Sequence, residues 1–196
     1  MFKSFFKTAL IAGLMVAMVQ GTYAQKTADE LKAERQELQT ELKAKKTVKR
    51  AEKLDKLVEQ GMPAASNVSS VDALATSSAA LLVTTKANND FLSKFKRTVT
   101  DNGGGEVDVT TEKAKLNDYA QLAVALGVSI ASVAAETQKV QAIKDEIKSL
   151  SPAQAMPATK SVKFATDALD VCAGELQLQL KLVNNLIETI KSSGNY

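Results

Sequence analysis

Four stretches of this chain place apolar residues at the three- and four-residue steps of an amphipathic helix. In the first, about Thr27 to Gln60, Leu31, Leu38 and Leu42 share one stripe, and Val48, Ala51, Leu54 and Val58 continue it after a phase slip between Ala44 and Thr47. The segment is dense in Glu, Lys, Leu, Ala and Gln, all good helix formers. So thin a seam predicts a rod that packs along one narrow side or projects partly free of the core. Gly61-Met62-Pro63 ends it.

The second stretch, about Val71 to Val99, keeps seven-residue spacing in two rows: Val71, Ser78, Thr85, Leu92 and Val99, and beside them Leu74, Leu81, Asn88 and Phe95. Ser69 with Asp72 three residues on makes a weak capping box. Asn88 has two readings, a buried hydrogen bond that fixes helix register or a solvated position at the edge of the seam. Asp101-Asn102-Gly103-Gly104-Gly105 should stop the helix, because successive glycines do not sustain one.

The third stretch, about Thr111 to Leu150, spaces Tyr119, Leu126, Val133, Val140 and Ile147 by sevens. From Leu122 to Ala135 it is apolar or small on every side except at Ser129 and Ser132, which predicts the most buried segment of the molecule. Ala123, Ala125, Gly127, Ala131, Ala134 and Ala135 would let neighbouring backbones approach closely. The fourth stretch, about Ser161 to Lys191, carries Val162, Ala165, Leu169, Cys172, Leu176, Val183, Leu186 and Ile190 on helical steps. Within it, Leu176, Leu178, Leu180 and Leu182 alternate with polar residues as a strand would. They are not β-branched, and the longer flanking pattern makes the segment helical.

Four helices, at about 27–60, 71–99, 111–150 and 161–191, would each be about 45 to 60 Å long. Pro63, Pro152 and Pro157 fall in the gaps between them. Short connections favour antiparallel neighbours, so the expected fold is all-α, an up-down-up-down four-helix bundle of long antiparallel helices in one domain. No internal repeat is present.

The first 24 residues have a different character. Lys3 and Lys7 form a positive start, Ala9 to Val19 is an apolar run too short to span a bilayer, and Thr22-Tyr23-Ala24 offers a small-residue cleavage site. This is a secretory signal peptide. It resembles bacterial signals in which Ala-Gln straddles the cut, which implies a mature chain from Gln25 to Tyr196 in the periplasm or outside the cell. No Cys follows the cut, so a lipid anchor is not indicated.

Removing the leader takes away two lysines and no acid, so the formal charge of +3 falls to +1. A basic balance that weak does not by itself point to an anionic partner. The single Cys172 cannot form an internal disulfide, and its place on an apolar stripe suggests a small buried hydrophobe. With no His in the chain, the commonest general base and neutral metal ligand are missing. No nucleophile stands beside a recognisable base. A non-enzymatic protein without cofactor or metal is the expectation.

Two candidate surfaces remain. Lys43, Lys45, Lys46, Lys49, Arg50, Lys53 and Lys56 crowd the first helix, and its like-charge pairs one turn apart each cost about 0.2–0.5 kcal/mol unless an anion offsets them. The functional reading is contact with an anionic envelope glycolipid or an acidic protein; the plain one is a solvated helix face. Nucleic acid is disfavoured, because no stacking aromatics interleave with the lysines. On the fourth helix, Leu178 and Leu182, with Val171 extending their line, fall off the main stripe. They form either a face for a partner helix or second contacts within the core.

Two further features have plain explanations. The oxygen-rich Asp101–Asp108 loop lacks the ligand spacing of a calcium hand and reads as a turn. The Leu122–Ala135 run is shorter than the about 20 residues of a membrane span and reads as core, so no transmembrane segment is expected in the mature chain. By composition alone the chain resembles exported, Lys-rich helical periplasmic proteins, including holdase chaperones. The resulting expectation is an envelope protein that acts by macromolecular binding, as adaptor, scaffold or chaperone-like module, its partner another envelope protein or a second copy of itself. Self-assembly as a structural protein and glycolipid binding through the basic face are the alternatives.

Overall fold

The computed structural model describes residues 26–101 and 116–192, and among these residues every regular element is an α-helix. There are five: α1 (Ala28–Lys43), α2 (Lys45–Gln60), α3 (Ser69–Asp101), α4 (Leu116–Ile147) and α5 (Pro152–Ser192). The expected leader at 1–24, the expected loop from Asn102 to Asp108, the predicted start of the third helix at 111–115, and the side chains of Phe95 and Val99 lie outside the described residues.

The first predicted helix is two. Thr27 and Glu30 form a reciprocal capping box at the start of α1: the Thr27 hydroxyl accepts from the Glu30 N–H, and the Glu30 carboxylate accepts from the Thr27 N–H at 2.8 Å. The helix stops at Ala44, whose backbone is extended (φ −61°, ψ 135°). Alanine is the best helix former, so local propensity does not explain the break. Side-chain phase does. At about 100° per residue, a continuous helix would turn Leu54 about 160° away from Leu38. One extended residue resets the phase, and Leu31, Leu38, Thr47, Leu54 and Leu57 are all buried. Val48, expected on the stripe, stays exposed.

Elsewhere the helix starts differ from the expected ones in instructive ways. The Asp72 carboxylate does not cap through Ser69; it accepts from the Ser66 N–H and hydroxyl, both at 2.8 Å, and from the Asn67 N–H at 3.1 Å. Asn67 has a positive φ of 61°, and this hydrogen-bonded turn directs the chain from α2 into α3. The fourth predicted helix begins about nine residues early, with Pro152 as its first residue, where a missing N–H costs nothing. Pro157 lies inside α5 rather than in a gap. It removes one helical hydrogen bond near the end of the rod, and the adjoining alanines and the buried Ala158 carry the helix through.

Packing centres on α5, which contacts each of the other four helices. The rod α1–α2 runs antiparallel along it: Glu34 meets Asn185, Glu41 meets Lys181, Arg50 meets Glu175 and Lys53 meets Asp167. α3 packs on α5 and on α2, and α4 packs chiefly on α5 and α3. Burial follows from this arrangement. In α5, all eight residues of the predicted stripe are buried, and so are Val171 and Leu178 on its other side. The alternating leucines thus reflect a helix covered on more than one face.

One expectation is overturned. The apolar middle of α4 is not the most buried segment: Val124 and Val128 are each 63% exposed, and Ala125, Ala131 and Ala135 face outward with them. Of its heptad row, Tyr119, Leu126, Val133 and Val140 are buried as expected, and Ile147 at the end is half-buried. Since α4 lies at the edge of the assembly, its neighbours cover one side only. Apolar composition records how greasy a helix is, and the topology decides how many faces are covered.

Candidate binding site

The basic residues of the first rod divide when placed in three dimensions. Lys43, Lys45, Lys46, Lys49 and Lys56 are exposed. Arg50 and Lys53 turn toward α5, where Arg50 Nε donates to Glu175 Oε1 at 2.6 Å and Lys53 Nζ donates to Asp167 Oδ1 at 2.8 Å. The cationic surface therefore holds fewer charges than the sequence suggests. Its centre is the start of α2, which has no side-chain cap and no acid in its first turn. Helix dipole and lysines carry the same sign there, an unfavourable pairing.

The predicted partner face on the last helix is divided too. Val171 and Leu178 are buried within the chain, and Leu182 is half-buried. Covered by α5's own neighbours, Val171 and Leu178 are core residues here and not an outward face. Leu178 and Leu182 instead line a cleft of about 340 Å³ at the α1–α2 break, together with Leu42 and Val48. The phase slip seen in the sequence and the off-stripe leucines meet at this cleft.

Its base is a polar cluster that no motif announced. Glu175, with a side chain 4% exposed, accepts from Arg50 and from Asn89 Nδ2 at 2.9 Å. Gln179 Nε2 then donates to Asn89 Oδ1 at 2.7 Å and to the Thr85 carbonyl at 3.0 Å. The asparagine that joins helices is Asn89, adjacent to Asn88; both are half-buried. Cys172 lies beside the cluster, fully buried. Burial pushes its thiol up to about 11, the Thr85 hydroxyl opposing and the Glu175 charge adding to the shift. A thiol held in that form is a packing group and a poor nucleophile.

The sequence held two signals for the cluster. Glu175 and Gln179 fall one helical turn apart among apolar residues, and Gly174 interrupts an otherwise good helix. Gly174 matters because the Arg50 side chain crosses α5 there; a Cβ would lie 2.7 Å from Arg50 Cδ.

On the cleft rim, Lys86 Nζ lies 2.7 Å from Asp55 and 3.7 Å from Asp90. The hydrogen bond that Lys86 donates to Asp55 holds its pKa above the ordinary lysine value, against the opposing pull of burial. Among the described residues, no three His, Cys, Asp or Glu side chains gather as metal ligands.

The second surface is the outer face of α4. From Tyr119 to Ala135 it contains no charged residue, and its exposed row is Ala120, Val124, Val128, Ala131 and Ala135. Among the described residues α4 is the one helix long and apolar enough to cross a membrane, and only 17% of its most apolar 18-residue window is buried. No family model, curated protein or solved structure matches this chain.

Proposed function

We propose that this chain is exported, trimmed after Ala24, and acts without catalysis by binding an apolar helix of another envelope protein on the outer face of α4, as an adaptor or chaperone-like module. The exposure of Val124 and Val128 on the charge-free stretch of α4 carries this reading. Water-exposed apolar faces of this extent are characteristic of interaction sites. The partner's chemistry follows from the face: without charge it has no use for a charged partner, and its alanines with Gly127 admit a helix backbone closely. The finer bundle architecture belongs to the same proposal, with α1–α2 acting as one broken rod beside α3, α4 and α5.

A membrane is the less favoured occupant. The charge-free run from Tyr119 to Ala135 is shorter than the about 20 residues a span needs, and its outward residues are small. A photo-cross-linker at Val128 in intact cells distinguishes the outcomes. Capture of a discrete protein, abolished by V124E/V128E with an unchanged helical circular dichroism spectrum, supports the proposal. Lipid adducts, adducts only of a second copy, or no adduct overturn it. Amino-terminal sequencing should begin at Gln25.

A second reading has its own observation, the uncapped start of α2 among Lys43, Lys45, Lys46 and Lys49. If this end meets anionic glycolipid, binding to lipopolysaccharide micelles should weaken steeply as salt rises from about 0.01 M to 0.15 M. Salt-independent binding would rule the mechanism out.

A further inference from the structure

The cleft at the α1–α2 break has a chemistry of its own, independent of the α4 face. At about 340 Å³ it is at the small end of the about 300–1,000 Å³ range of ligand sites. One wall is apolar, formed by Leu42, Val48, Leu178 and Leu182. The rest of the lining is rich in acceptors: Glu52, Asp55 and Asp90 belong to it, and Lys86, the only lysine or arginine among the described lining residues, is held between two of those carboxylates.

Beneath them is Gln179, 1% exposed, whose Oε1 is buried with no hydrogen-bond partner. The amide cannot relieve this by turning over. Its nitrogen faces a backbone carbonyl and Asn89 Oδ1, both acceptors, and Asn89 is fixed in turn because its own nitrogen donates to Glu175. An orphan acceptor in the interior costs about 1–3 kcal/mol, so a donor supplied from the cleft has something to gain.

We infer that the cleft binds a small organic amine with an apolar body, its ammonium group toward Gln179 Oε1 and the acidic rim, its hydrocarbon against Leu178 and Leu182. Each part follows from complementarity. The orphan acceptor requires a hydrogen-bond donor, the carboxylates among the described lining residues favour a cationic one over an anion, and the leucines reject a fully polar ligand. The break at Ala44 gives the site its opening, since it sets Leu42 and Val48 on opposite sides of a helix junction.

The test uses 2-phenylethylamine and phenylacetate, similar in shape and opposite in charge, titrated into the purified chain and followed by calorimetry and by the Gln179 side-chain amide resonances. The amine should bind saturably, and phenylacetate at least about tenfold more weakly. Gln179→Leu removes the orphan acceptor and should weaken the amine by about tenfold, but it also removes two internal hydrogen bonds. Val48→Trp, at an exposed position on the wall, fills the cleft without touching the polar cluster and should abolish binding while leaving the melting temperature within a few degrees. Equal affinity for amine and carboxylate, amine binding undiminished in folded Val48→Trp, or no amine binding by about 10 mM would each overturn the assignment.

Discussion

A Cβ on residue 174 would press on Arg50 at three atoms, Cδ, Nη1 and Nε, all within 2.9 Å. Arginine is flexible, but this one is held by Glu175, so Gly174→Ala sets a helix-propensity gain of about 1 kcal/mol against a broken ion pair. We expect a net destabilisation of about 1–3 kcal/mol, read from the urea midpoint. The Cys172 thiol should be inert to a disulfide reagent at about pH 8 in the folded chain and react fully in denaturant; rapid labelling of folded protein would show that the core around it opens. Asp72 gives the pH dependence. Hydrogen bonds from the Ser66 backbone, with the Ser66 hydroxyl and Asn67 N–H adding to them, hold its carboxyl below the ordinary 3.8. A depressed carboxylate contributes stability above its unfolded value, and that contribution is lost as pH falls below 3.8 through the folded value. Asp72→Asn should therefore flatten the acid limb of a stability–pH curve, and an unchanged limb would place the effect elsewhere.

Elements in this chain are joined by polar ties as much as by leucines. Asn185 donates to the Leu31 carbonyl and to Glu34, both at 3.0 Å, and accepts from Arg35, which sets the register of α1 on α5. Arg50 does the same for α2. Because Glu175 is nearly fully buried, Arg50→Met should cost about 3 kcal/mol by stranding a charge, whereas R50M/E175M should recover much of that loss. A double-mutant cycle measured by chemical denaturation checks both values, and additive losses would mean the pair is not coupled. The helical character of all four stretches was legible in periodicity, as was the phase slip that became the break. What periodicity lacked was its consequence, since a slip can be absorbed by a broken helix or by a change of packing partner. The rest of the polar cluster was hidden for a related reason: Arg50, Asn89 and the Glu175–Gln179 pair lie far apart in sequence and become a unit only where three helices meet.

For the molecule as a whole, stability should be concentrated in α5. Leu176→Ala, at a fully buried position on the shared helix, is expected to cost about 2–5 kcal/mol, and Val128→Ala on the outer face under about 0.5 kcal/mol. Comparable losses in urea denaturation would mean that α4 is covered in solution, by a second copy or otherwise. This contrast also separates the two apolar segments that the sequence ranked in the wrong order. Leu122–Ala135 is the more uniformly apolar, but burial depends on how many neighbours a helix has. The Lys43–Lys56 run, in the same way, loses Arg50 and Lys53 to α5 and keeps its remaining charges in water.

The sequence by itself determined the all-helical class, the positions of the helices to within about nine residues, and the buried rows from Val71 to Leu92 in α3, from Tyr119 to Val140 in α4 and along α5, because each depends on side chains repeating along a single rod. Tertiary structure alone decided which rod is shared by all the others, which apolar face stays in water, and where distant polar residues meet over a cleft. Those outcomes depend on the relative placement of separate helices, and a one-dimensional pattern encodes the faces of each helix without saying which neighbour will cover them.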